Sequence, residues 1–264
     1  MTDKGLRTIR LMSWNIHGCA GSDGLRDADR IVALIDEIGP DVLAVQEVDT
    51  RCTGAGGEAL VALLADAVGE HRAEAYTLVE PDGEYGQALF SRLPLFEHTT
   101  HDVSWRRREP RRVIDVTVAA AGSRLRVLAT HLGLSLRERR FQAERLDQAL
   151  GPRVDVPTVV LGDFNDWLPY GTVYRRLIPR LPVVTDIRTF PARLPLLTLD
   201  RIYASSELQL LAPRTLRHAR RASDHLPVIA DLVLPEARDT GAELSASSGP
   251  EWATAPSPSA SHRR

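Results

Sequence analysis

Only two cysteines, Cys19 and Cys52, occur in the 264 residues. A disulfide framework is therefore not expected, and the chain suits a reducing compartment. Neither cysteine belongs to a C-x-x-C or comparable metal spacing, so both read as small packing residues. No apolar run approaches the roughly 18 residues of a membrane span. The charged N-terminus, Met1 to Arg7, lacks the apolar stretch of a secretory signal. These absences lead to the expectation of a soluble cytoplasmic protein with no transmembrane segment. The net charge is only −2, so attraction to nucleic acid or membrane has to come from local clusters. Also missing are G-x-x-x-x-G-K-[ST], G-x-S-x-G and H-E-x-x-H, which removes the usual nucleotide loop, the serine-hydrolase elbow and a helical zinc site. Gly54, Gly56 and Gly57 have no lysine beside them and read as a flexible connection. The chain has no internal repeat.

What is present is a 43% hydrophobic content, enough for one large domain or two small ones. Short apolar runs bounded by Gly, Pro or Asp read as buried strands over 9–14, 42–45, 76–79, 88–91, 113–118, 125–130, 158–161, 199–204 and 226–234. Ile31, Leu34, Ile35 and Ile38 mark a helix that Gly39-Pro40 ends. Further helices are expected over 58–68, from Ser135 (with Glu138 completing a capping box) to Gly151-Pro152, and over 170–177. Consecutive strands in mid-chain argue for mixed sheets covered by helices, not an alternating parallel sheet. Residues 236–264, rich in Ala, Ser, Pro and charge, are expected to form a disordered tail.

The polar residues of interest share one placement, at the ends of apolar runs. Asn15 follows the first, Glu47 the second, His131 the run to Thr130, and Asp163 and Asn165 the run to Leu161. Asp200 opens the run to Ala204, and Asp224 and His225 precede the last. Singly, each reads as an ordinary turn residue or a buried histidine. Together they repeat the same carboxylate, amide and imidazole chemistry at six strand ends, where a rigid sheet can gather side chains from distant positions. Glu47 offers the hard oxygen that magnesium prefers, and magnesium needs only one or two carboxylates beside water and phosphate.

The segments Trp14-Asn15-Ile16-His17-Gly18, Gln46-Glu47, Thr130-His131-Leu132, Gly162-Asp163-Phe164-Asn165, Leu199-Asp200-Arg201-Ile202-Tyr203 and Ser223-Asp224-His225-Leu226-Pro227 resemble, in order, the endonuclease/exonuclease/phosphatase superfamily with its deoxyribonuclease I-like fold. Gly86 to Pro94 is similar to that family's central strand. The resemblance implies an α/β four-layered α-β-β-α sandwich of two mixed β-sheets flanked by helices, in one catalytic domain over residues 5–235. It also implies a phosphoesterase that uses Mg²⁺, with Mn²⁺ as a substitute. Glu47 would hold the metal, with Asn15 near both metal and phosphate and Asp224 near the metal or shaping His225. His225, oriented by Asp200, would be a general base or an electrostatic partner. Asp163 would position or deprotonate the attacking water, and Asn165 and His131 would donate hydrogen bonds to the phosphoryl oxygens. Substituting Asp163 or His225 is expected to cost turnover with little cost in stability.

His131 stands where abasic-site repair members of the family carry tyrosine, which argues against that branch. Residues 106–112 hold five arginines in seven positions, and Arg217, Arg220 and Arg221 precede Ser223-Asp224-His225. Such runs are either solvated loops or clamps for extra phosphate; Arg112 and Arg221 are the candidates for substrate phosphate. DNA or an anionic lipid surface could meet these clusters, which would place the protein peripherally at a membrane. Thr189 to Leu197 resembles a bacterial branch of uncharacterised hydrolases. The leading expectation is a phosphodiester of small-molecule or phospholipid-headgroup type. A DNA endonuclease or exonuclease is second. A non-catalytic phosphate-binding module is third, disfavoured because Glu47, Asp163 and His225 are all present. No protein partner is indicated.

Overall fold

The computed structural model describes residues 8–53, 57–120, 123–152 and 156–235. The expected tail 236–264, residues 5–7 of the expected domain, and Gly54 and Gly56 lie outside them. The order is β1 (Thr8–Asn15), α1 (Ala28–Ile38), β2 (Val42–Asp49), α2 (Gly57–Val68), β3 (His71–Glu80), β4 (Gly83–Ser91), β5 (Leu95–Asp102), β6 (Arg112–Ala120), β7 (Ser123–His131), α3 (Leu136–Leu150), β8 (Thr158–Asp163), α4 (Thr172–Leu177), β9 (Val183–Val184), β10 (Asp200–Ala204), β11 (Gln209–Arg214) and β12 (Val228–Val233).

The strands make two six-stranded sheets, ordered β11-β12-β1-β2-β4-β3 and β5-β6-β7-β8-β10-β9. Both are mixed, because β1–β2 and β7–β8 are parallel while the other pairs are antiparallel. Alternation along the buried strands makes the layers. Leu11, Val42, Ala44 and Leu89 meet Ile114, Val116, Val127, Val159 and Ile202 between the sheets. The intervening Met12, Trp14, Leu43, Val45 and Phe90 point outward, onto Ile31, Ile35, Leu60 and Leu64 of α1 and α2. On the far side, Leu128, Val160 and Tyr203 pack on Leu146, Leu150, Val173 and Leu177 of α3 and α4. Strands buried on both faces read as continuous apolar runs, which is why β1, β2 and β8 stand out in the sequence. The expected four-layered sandwich is the fold observed.

Local chemistry sets the helix ends. The Asp27 side chain accepts from the Asp29 and Arg30 amides at the start of α1, and Gly39 closes it in the left-handed conformation at φ 59°. Ser135 caps α3 by accepting from the Glu138 amide, and the Glu138 carboxylate accepts from Gln142. Gln142 in turn accepts from the Gly133 amide at 2.7 Å, tying α3 to the loop that leaves β7.

Parallel pairing decides where the chemistry gathers. β1 and β2 end together, with Asn15 opposite Gln46, and β7 and β8 end together, with His131 opposite Asp163. The antiparallel β10 begins there, with Asp200 opposite Asp163. Gly162, one residue before Asp163, has φ 146°, and a Cβ on it would lie 1.9 Å from the Thr130 carbonyl oxygen. Gly162→Ala is therefore expected to destabilise the protein by at least about 1–3 kcal/mol, read as a lower urea midpoint. An unchanged midpoint would show that β7 and β8 can separate there at no cost.

Candidate active site

Asn15, at the end of β1, joins the two sheets. Its Nδ2 donates to Glu47 Oε1 at 2.9 Å and to Asp163 Oδ2 at 3.1 Å. Its Oδ1 accepts from the His17 amide at 3.0 Å, which fixes the amide orientation. Glu47 adopts φ 55°, and the β2–β4 register shifts between Gln46 and Val48. This bulge re-aims the carboxylate toward the rim, and positive φ at a non-glycine residue is strain of the kind that collects at functional sites. Asn165, at φ 50°, is held by its own amide, which donates to Asp163 Oδ1 at 2.9 Å, and by Nδ2, which donates to the Leu132 carbonyl at 2.9 Å. One hydrogen of that side-chain amide is left over.

His225 is 5% exposed. Its Nδ1 lies 2.9 Å from Asp200 Oδ2, which also accepts from Thr189 Oγ1 at 2.5 Å. Its Nε2 is 3.8 Å from Asp163 Oδ2, and the Phe190 ring lies 4.7 Å from the imidazole. The Ser223 hydroxyl donates to the Asn15 carbonyl and accepts from the His225 amide, while the Trp14 indole donates to the His225 carbonyl at 3.0 Å. Burial alone would lower the His225 pKa, but the Asp200 and Asp163 carboxylates outweigh it and push it up to about 10. Burial raises Asp163 to about 6, against the opposing pull of the His225 cation. The buried ring is thus cationic at neutral pH, beside a carboxylate more basic than usual.

His131 behaves differently. Burial, then the charges of Arg111 and His225, hold it well below its ordinary value, so it is neutral. Arg111 Nη1 lies 3.0 Å from His131 Nδ1. A guanidinium can only donate, so Nδ1 accepts and the proton sits on Nε2. That Nε2–H faces Asp163 Oδ2 at 3.6 Å and Glu47 Oε1 at 4.0 Å.

The structure thus brings Asn15, Glu47, His131, Asp163, Asn165, Asp200 and His225 into one network. Asp224 stands at its edge. Its carboxylate lies 3.6 Å from His17 Nδ1 and helps raise His225, and its buried Oδ1 has no hydrogen-bond partner among the described residues. Arg112 is taken up by Asp102 at 2.5 Å, and the neighbouring Arg111 is the arginine that reaches the network. Arg221 lines a separate cleft. Arg111, Thr189 and Phe190 are the contributors that sequence reasoning did not single out.

Side-chain atoms of Asp163, Asp200 and His225 fall within 4.8 Å of one another, close enough to hold a metal. His225 Nδ1 and Asp200 Oδ2 are engaged with each other and Thr189 also donates to that oxygen, while the buried Asp200 Oδ1 has no hydrogen-bond partner among the described residues. The chemistry of Glu47 also suits a hard cation. It is a part-exposed carboxylate that accepts from the Asn15 amide and meets the Tyr85 hydroxyl.

Asp200→Asn tests the charge state of His225. Without its strongest partner, the ring should titrate well below about 10, with burial lowering it and Asp163 still raising it, followed by NMR of the metal-free protein. The stability contributed by this pair is complete below about 6.5 and lost as pH rises through about 10, so the deficit of the variant should close above that. An unchanged ring titration would show that Asp200 does not set the charge.

The Endonuclease/Exonuclease/phosphatase family model matches residues 12–225. The uncharacterized protein YbhP of Escherichia coli K12 is 33% identical over 183 residues, which cover 65% of this chain and 72% of that protein. The crystal structure of an endonuclease/exonuclease/phosphatase from Beutenbergia cavernae superposes with a TM-score of 0.70 at 26% identity, covering 86% of this chain and 72% of that one. The human Nocturnin catalytic domain with bound sulfate superposes at 0.69 with 22% identity, covering 88% and 96%, a likeness of fold.

Proposed function

The chain belongs to the endonuclease/exonuclease/phosphatase family, whose members hydrolyse phosphoester bonds, and from that premise we propose that it is a divalent-metal-dependent phosphodiesterase. One observation carries the reading: a basic buried carboxylate, Asp163, stands 3.8 Å from a cationic His225 and 3.6 Å from a neutral His131. Asp163 is the base, taking a proton from the attacking water. A carboxyl at about 6 is ionised at neutral pH yet a stronger acceptor than an ordinary aspartate. His225, held cationic by Asp200, is the electrostatic partner and proton donor. His131 Nε2–H and the spare Asn165 amide hydrogen donate to the phosphoryl oxygens as charge builds, more strongly than in the ground state. Arg111 fixes the tautomer that makes His131 a donor. Glu47, with Asn15 and Asp224, would hold Mg²⁺ or Mn²⁺, which supplies positive charge to the phosphoryl group.

The favoured substrate remains a small-molecule or phospholipid-headgroup diester, with DNA second. The test is hydrolysis of bis(p-nitrophenyl) phosphate with Mg²⁺, with and without chelator, followed by plasmid DNA, RNA, sphingomyelin, cardiolipin and inositol phosphates. Turnover of at least one ester, lost on chelation, is expected. Failure on every ester with either metal would leave only phosphate binding.

A further inference from the structure

Beside the catalytic rim lies a cleft of about 730 Å³ whose lining includes Asp23, Arg30, Arg193, His218, Arg220 and Arg221. Each of its three walls is continuous with a catalytic contact. Arg220 and Arg221 end the short 3₁₀ turn Arg217–Arg221, and Ser223, Asp224 and His225 follow directly. Arg193 follows Phe190, which packs on the His225 ring, and Ala192, whose amide donates to the Asp224 carbonyl at 2.6 Å. Asp23 lies in the loop after β1, the loop in which His17 meets Asp224. That loop and the turn touch through their backbones, since a Cβ on Gly21 would lie 2.0 Å from the Arg221 carbonyl oxygen.

The charges in the cleft do not balance. Arg30 is occupied by Asp23 at 2.7 Å, Asp27 at 3.0 Å and the Arg221 carbonyl at 3.1 Å, so the only carboxylate in the lining is already paired. His218 meets Glu37 at 2.9 Å, and Arg193 donates to the Ser22 carbonyl. The Arg220 and Arg221 guanidiniums are exposed and have no hydrogen-bond or ion-pair partner among the described residues. Adjacent unpaired cations repel, and the forked guanidinium matches a phosphate in shape and charge. In the other arginine cluster Arg106 lies over the Trp105 ring at 4.6 Å and Arg111 and Arg112 are committed elsewhere, which leaves the exposed Arg107 and Arg108 outside the lining of this cleft.

We propose that this cleft holds a second phosphate of the substrate, so that the preferred ester carries an anionic phosphate beyond the bond that is cut. The proposal rests on the phosphodiesterase reading and narrows it to multiply phosphorylated substrates. Arg220 and Arg221 are its specificity residues, and Arg193 contributes further positive charge.

The experiment compares thymidine 5′-(p-nitrophenyl phosphate) with its 3′-phosphorylated form, which shares the scissile bond. The protein should prefer the second by about tenfold or more in kcat/KM at low salt. The preference should disappear in Arg220→Ala/Arg221→Ala and return in part in Arg220→Lys/Arg221→Lys. In a separate arm, calorimetric titration of the metal-free protein with inorganic pyrophosphate should show saturable binding, weakened about tenfold by the double alanine substitution and by high salt. Equal kcat/KM for the two diesters would overturn the subsite while leaving the phosphodiesterase reading intact. So would pyrophosphate binding indifferent to the two arginines. Hydrolysis of neither diester would overturn the subsite as one that serves this class of substrate, and only failure on the whole ester panel as well would sink the phosphodiesterase reading.

Discussion

Replacing Asp163 by asparagine is expected to lower kcat on a phosphodiester by about 10³-fold and to change stability by no more than about 1 kcal/mol. Asparagine keeps an oxygen for the Asn165 amide and loses the hydrogen bond from Asn15 Nδ2. Against that loss stands a gain. The Asp163 carboxyl is held at about 6, above its ordinary 3.8, so ionising it costs the folded state free energy as pH rises from 3.8 through about 6. A side chain that never ionises escapes that cost at pH 8. kcat and urea unfolding at pH 8 check both halves, and near-wild-type turnover would remove Asp163 as the base. His225→Ala should be equally inactive but for a mixed reason. It leaves Asp200, fully buried, without its cation, a loss of about 3–5 kcal/mol. The sequence-based expectation that both substitutions spare stability therefore separates: Asp163 is the clean test, and His225 is also structural.

Complete chelation of divalent cations is expected to abolish hydrolysis, and Glu47→Gln to raise the Mg²⁺ concentration for half-maximal rate by about tenfold or more, the weight of one charge-assisted contact. Glutamine can accept from Asn15 Nδ2 as Glu47 Oε1 does, so the bulge at φ 55° survives and the lost charge is what is measured. A second readout needs no turnover. A ligand that binds only the folded state stabilises it, by about 2.7 kcal/mol at a hundred times its Kd. Mg²⁺ should therefore raise the Tm of the wild-type protein at lower concentration, and by more at equal concentration, than that of Glu47→Gln. A Tm indifferent to Mg²⁺ in both proteins, with hydrolysis that survives chelation, would end the metal reading.

The fold was legible where burial on both faces writes itself into composition. β2 and β8 are almost wholly buried, β1, β6 and β7 carry long buried apolar stretches, and α1 carries its cap and stop in Asp27 and Gly39. The strands that escaped notice lie at the sheet edges. β5, Leu-Phe-Glu-His-Thr-Thr-His-Asp, is exposed along most of its length, and β11 contains Pro213 within a register shift between Leu211 and Arg214. Edge strands need only one partner and no buried face, so neither apolar runs nor alternation betrays them. At the site, Asn15, Glu47, His131, Asp163, Asp200 and His225 were visible because each terminates or opens an apolar run. Arg111 was hidden inside an arginine-rich stretch, though its place just before β6 is the one signal that set it apart. Thr189 and Phe190 come from an irregular segment, and nothing local marks a threonine that will meet Asp200 eleven residues later. Their roles arise only from tertiary contact.

The two sheets also differ in how the chain supplies them. All of β5 to β10 lies between Leu95 and Ala204, whereas β1 pairs on one side with β2 and on the other with β12, a partner some two hundred residues downstream. On the ribosome, β1 must wait with one flank unpaired until nearly the whole domain has emerged, and His225 arrives in that same final segment. Any nascent or truncated chain that stops short of residue 225 therefore leaves that flank of β1 exposed to aggregation and lacks His225.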